Sequence, residues 1–209
     1  MKSLLFKFSL LLSTCAVLFS CGSDNSEFAQ KPNKDTVLKT NQKVMPFTMI
    51  TNKEGIIGIF DVPEIITICK LDSAPLKDVS FKVAKDYGVL EEEMNAIGAE
   101  MGGMPGMLTY SNDTSNFIFE CVLPLKAMPK FQPKTCKIVV LEATPMLMYN
   151  FYGPYQHLFA AYSKIKMYMT ENKLVQSGPM REFYLSDPTL VKDPAKWQTR
   201  VMVPVGRAK

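Results

Sequence analysis

Position 182 puts a glutamate into "SGPMREFYLSD", residues 177–187, a stretch whose composition otherwise suits a β-strand. Alternation places Met180, Glu182 and Tyr184 on one face, and Arg181, Phe183 and Leu185 on the other. A carboxylate held among apolar and aromatic side chains is costly unless it is paired or hydrogen-bonded. Removal from water raises its pKa, and a bound cation lowers it again. Aromatic faces nearby would add cation–π attraction of about 0.5–2 kcal/mol each. Tyr149, Tyr152, Tyr155 and Tyr184 are the tyrosines placed to supply such faces or to donate a hydrogen bond to Glu182. The competing assignment is a solvated glutamate paired with Arg181 or a cross-strand lysine. Alternation sends Arg181 to the opposite face, which weakens that pair.

The same groups would serve hydrolysis of a reactive small molecule. Glu182 would orient or deprotonate water, and Tyr155 or Tyr184 would donate to the leaving group. No nucleophile motif demands this chemistry. His157 is the single histidine, early in a helical stretch beside Gln156, so it can build neither a catalytic relay nor a His-rich metal site. Haem ligation by it would lack any supporting motif. In "MGGMPGM" the thioethers of Met101, Met104 and Met107 recur every third residue and would suit Cu(I). Glycine-rich hairpins with methionines also make adaptable apolar lips over a cleft. The reading needs no cofactor and no metal.

Stepping outward, residues 1–20 have a basic start at Lys2 and Lys7, then an apolar run of signal-peptide length. Leu18-Phe19-Ser20-Cys21 resembles a bacterial lipobox. Cleavage before Cys21 would leave its thiol to carry the lipid, anchoring the protein in the cell envelope with its domain outside the cytoplasm. The polar residues 21–44 read as a flexible tether, and 45–209 as one domain with halves at about 45–130 and 131–209. Of the 24 basic residues, Lys2 and Lys7 leave with the signal peptide, so 22 face 20 acidic ones. No basic stripe argues for nucleic acid. Cys69, Cys121 and Cys136 form no C-x-x-C pair, which disfavours zinc and allows at most one disulfide. Buried thiols are the plainer assignment.

Elements alternate twice in the same order. Strand-like runs at 56–60 and 64–70 precede a helical stretch from Pro75, with Val79, Val83, Leu90, Met94 and Ile97 on one stripe and Gly88 as a candidate break. A strand at 116–125 closes on Pro124. A strand at 136–143 follows, extended or succeeded by Pro145–Tyr149. Gly153-Pro154 then opens a helix with the stripe Leu158, Ala161, Ile165 and Met169. The strand around Glu182 and a last one at 199–205 complete the set. Counting back from Tyr110 and Tyr184 makes Leu108 the first-half equivalent of Glu182, and the second hairpin six residues longer. The expected fold is α+β: duplicated β-α-β-β units sharing a concave antiparallel sheet, helices packed on it, and a cleft between the halves.

The motifs of the last third, "YGPYQHLFAAYSKI", "SGPMREFYLSDP" and "KWQTRVMVPV", resemble the GyrI-like small-molecule-binding domain, a bacterial effector-binding fold. The family pattern falls on Phe151 (an aromatic where Tyr is expected), Gly153, Tyr155, Gly178, Pro179, Glu182, Tyr184, Asp187, Pro188, Trp197, Thr199, Pro204 and Val205. Over 45–135 only the unit order and the closing proline agree. The resemblance implies a cleft for flat, apolar and often cationic compounds, with Glu182 and its flanking aromatics as contacts. No helix-turn-helix accompanies the domain here. Trp197, near the final strand, is assigned to packing.

Overall fold

The computed structural model describes residues 56–111 and 113–207. The signal peptide, Cys21, the tether and the expected domain start at 45 lie outside them. Along the chain run β1 (Ile57–Val62), β2 (Ile65–Ala74), α1 (Val79–Ala96), β3 (Gly106–Thr109), β4 (Phe117–Pro124), β5 (Lys137–Leu141), β6 (Thr144–Tyr152), α2 (Leu158–Glu171), β7 (Leu174–Gln176), β8 (Met180–Tyr184) and β9 (Gln198–Arg207). The antiparallel sheet has the order β1-β6-β9-β8-β3-β4-β2-β5, with β7 added on β9. It curls into a half-barrel carrying two helices.

That order reads the same from either end about the β8–β3 pair. One half contributes β8-β9-β6 with α2, and the other contributes β3-β4-β2 with α1. The edges are exchanged: β1 pairs with β6 of the second half, and β5 pairs with β2 of the first. Val62 opposite Thr144 and Ile65 opposite Leu141 keep one register, so 57–69 and 137–149 form two long antiparallel segments that change neighbours midway. The expected duplication is therefore present, with its halves interlocked. The β8–β9 loop, 185–197, exceeds the β3–β4 loop, 110–116, by six residues and holds a short 3-10 turn at Pro194–Lys196.

Each helix covers its own half with an apolar stripe. Val83, Tyr87, Leu90 and Met94 of α1 pack on Ile68, Phe119, Cys121 and Leu123, and Leu158, Ala161 and Ile165 of α2 pack on Leu147, Phe151, Val201 and Val203. The other sheet face buries Val62, Leu108, Val122, Met146, Met148, Phe183 and Met202, with no helix on it among the described residues. Cys69, Cys121 and Cys136 are buried and free, which agrees with their assignment as packed thiols.

Two helix boundaries depart from the expectation. Gly88 does not break α1, which runs unbroken through it, since one glycine costs a helix only about 1 kcal/mol against a full apolar stripe. The stop lies at Gly98, at φ 66°, where Ala99 N–H donates to the Met94 carbonyl at 3.0 Å and Gly98 N–H to that of Asn95. Pro154, extended at ψ 147°, precedes a 3-10 turn at Tyr155–His157, and α2 begins only at Leu158.

The seam between halves depends on a glycine. A Cβ on Gly106 would lie 2.5 Å from the Glu182 carbonyl oxygen and 2.7 Å from Phe183 Cδ1. Gly106→Ala should therefore destabilise the protein by about 1–3 kcal/mol through overpacking. Gly88→Ala, with nothing within 4 Å of the added methyl, should stabilise it by about 0.5–1 kcal/mol. Urea unfolding of both variants measures the contrast; equal effects would mean that the seam tolerates a side chain.

Candidate functional site

On the face that carries the helices, one row of residues crosses the sheet: Tyr149 on β6, Val201 on β9, Glu182 on β8, Met107 on β3, Cys121 on β4 and Lys70 on β2. Glu182 sits at the middle of this row. Its first-half equivalent is corrected by the ladders. When Pro124 is matched with Pro204, hydrogen-bond register makes Met107 the counterpart of Glu182, and Leu108 points to the opposite face. The count from the tyrosines was one residue off, because the register makes Thr109, not Tyr110, the counterpart of Tyr184. The charge is still single, since its counterpart is a thioether.

Glu182 is 2% exposed. Tyr162 of α2 donates its hydroxyl to Oε1 at 2.6 Å, and Tyr184 donates to Oε2 at a longer 3.4 Å. Among the described residues no lysine or arginine forms an ion pair with it. Burial pushes its pKa up, and the two phenols only partly offset this. Around it Tyr155 meets Tyr184 edge-on at 5.4 Å and Trp197 at 5.0 Å. Tyr87 of α1 closes the other side, donating to the Gly106 carbonyl at 2.6 Å. Burial raises the pKa of each of these tyrosines, Tyr155 to about 12 with help from the negative Asp187. The buried Tyr155 hydroxyl and the Thr199 hydroxyl, directly across from Tyr184, have no hydrogen-bond partner. The result is an acid in an aromatic cage at the junction of both halves.

The sequence-expected residues divide between faces. Tyr155 and Tyr184 converge with Glu182. Tyr149 shares the row but stands two strands away, its ring already under Lys164 Nζ at 4.9 Å. Tyr152 lies on the opposite face, one residue out of phase with Tyr149, where it influences Arg200. Tyr87, Tyr162 and Trp197 enter the cage unexpected. Tyr87 falls four residues after Val83 and Tyr162 four after Leu158, so both lie on apolar stripes that sequence marks as core. Trp197, assigned to packing, does pack, but against the cage tyrosine, with Nε1 donating to the Val191 carbonyl at 2.8 Å. His157 is exposed and Met107 is buried beside Glu182. Among the described residues no group of three His, Cys, Asp or Glu could hold a metal, and no helix is long and apolar enough to cross a membrane.

Residues 112–206 match the family model of the GyrI-like small molecule binding domain. The fold is similar to the C-terminal domain of EcmrR at 20% identity and TM-score 0.66, over 73% of this chain and 98% of that one. EcmrR in its DNA complex matches at 21% identity and TM-score 0.65, again over 73% of this chain, which spans 58% of the EcmrR chain. A hydrolase from Listeria innocua is similar at 16% identity and TM-score 0.52, over 74% of this chain and 94% of that one. No curated protein matches. The structural likeness extends beyond the sequence match, so it takes in the first half, where the motifs fade.

Because burial raises the folded-state pKa of Glu182 above the ordinary 4.5, its contribution to stability is complete below that value and is lost as pH rises through the folded pKa. Glu182→Gln should remove that loss. The stability difference between variant and wild type should grow by up to about 1.4 kcal/mol per pH unit above 4.5, then level off. Denaturant titrations across pH read this directly, and parallel profiles would show a carboxylate that water still reaches. Tyr162→Phe should cost about 1–3 kcal/mol by stripping Oε1 of its donor.

Proposed function

We propose that the protein binds a small, largely apolar cation at Glu182, as a lipid-anchored envelope protein that sequesters or senses the compound. The GyrI-like segment is a small-molecule-binding fold. The observation that carries the finer reading is a buried carboxylate with aromatic neighbours and no paired cation among the described residues. A delocalised cation would remove the cost of ionising Glu182 and gain the faces of Tyr155, Tyr184 and Trp197. Entry requires Tyr162 to release Oε1, so α2 or its side chain must shift when ligand arrives. The anchor at Cys21 supports an extracytoplasmic setting, in which compounds are met before they reach the cell interior. EcmrR meets DNA, but the part this chain resembles is its C-terminal domain, and a role as a direct DNA binder is not proposed.

A second reading rests on the unpartnered Tyr155 hydroxyl. With Glu182 as base and Tyr155 or Tyr184 as donor, the cage would hydrolyse a reactive electrophile.

Titration with a lipophilic cationic dye and with its neutral isostere separates these. Cation affinity should fall at least about tenfold in Glu182→Gln, the scale of a lost desolvated charge pair, while the isostere binds both proteins alike. Equal dye binding by wild type and variant would remove the carboxylate from the reading. Turnover of a strained electrophile, abolished by the same substitution, would select the hydrolase.

A further inference from the structure

The residue before Glu182 makes the complementary problem on the other side of the sheet. Arg181 points to the helix-free face, between Leu108 on β3 and Met202 on β9. It is 7% exposed, and its Nε and Nη1 are buried with no hydrogen-bond partner among the described residues. Diagonally placed on β9, Arg200 is held by Asn150, to whose Oδ1 its Nε donates at 2.9 Å. The acid in the same row is Glu120, one strand beyond Leu108. Glu120 already accepts the Tyr110 hydroxyl at 2.7 Å, and no ion pair joins it to Arg181. Burial pulls the Arg181 pKa down to about 10, with the Tyr110 oxygen opposing.

A guanidinium in apolar surroundings with open donors is costly to keep, and an arginine does not escape by losing its proton near neutral pH. An anion from outside would satisfy it. The charge of Arg181 calls for an anion, and its planar donors suit a carboxylate. Leu108, Phe183 and Met202 beside it are buried, so they wall the guanidinium in without offering it a partner. Tyr110, 36% exposed and just past the end of β3, offers a ring at the rim.

We propose that this face binds a small organic carboxylate, with its carboxylate on Arg181 and its apolar body against the ring of Tyr110. The site is separate from that of Glu182, which projects from the next residue through the other side of the same strand. Adjacent positions thus select opposite charges.

Calorimetric titration of the full-length protein with sodium benzoate tests this, with inorganic phosphate as the comparison anion. One benzoate should bind per chain, more tightly than phosphate. Arg181→Met should weaken benzoate at least about tenfold and should melt higher than wild type without ligand, since it removes an uncompensated charge. Arg181→Lys, which keeps the charge and the fold but not the planar donors, should bind benzoate with intermediate affinity. No binding of benzoate to the wild type, or unchanged binding by both variants, would overturn the site. Phosphate binding as tightly as benzoate would overturn the carboxylate assignment. Neither outcome depends on whether a cation binds at Glu182.

Discussion

Four paired residues, 106–109 against 180–183, hold the two halves of the sheet together at its centre. Everything distinctive about the molecule follows from that short ladder. It brings Glu182 from one half against Met107 of the other. It also requires Gly106, because the neighbouring strand comes too close for a side chain. The site is therefore a property of the pairing and belongs to neither half alone.

Within the seam, the position of the acid decides which neighbours matter. A carboxylate at a strand centre cannot reach solvent by bending its side chain, so it takes donors from the helix that overhangs it. Tyr162 fills that need at 2.6 Å, while Tyr184 on its own strand reaches only to 3.4 Å. The shorter bond thus joins two elements, α2 and β8, and the longer one lies within a single strand.

The alternation of residues 180–185 was legible in the sequence and assigned both faces of β8 correctly. The repeated unit order was equally visible, because strands and helices leave distinct periods. The counterpart of Glu182 was misplaced by one residue, since Tyr110 and Tyr184 look alike in sequence but are not equivalent in the ladders. Tyr152 was grouped with Tyr149 by proximity in sequence, although three residues apart on a strand means opposite faces. Tyr87 and Tyr162 were hidden because a tyrosine on an apolar helical stripe reads as core until the partner of its hydroxyl is known. The exchange of β1 and β5 left no sequence signal at all. Only two residues separate β1 from β2, and nothing in their types says that each joins a different half.

That exchange has a consequence for biosynthesis. The chain emerges amino end first, yet β1 must wait for β6 and β3 must wait for β8 before its outer edge is covered. Until residue 184 has been made, the early part therefore presents bare backbone to its surroundings. A nascent protein of this design needs holding in an unfolded or shielded form until translation is nearly complete, whichever compartment receives it.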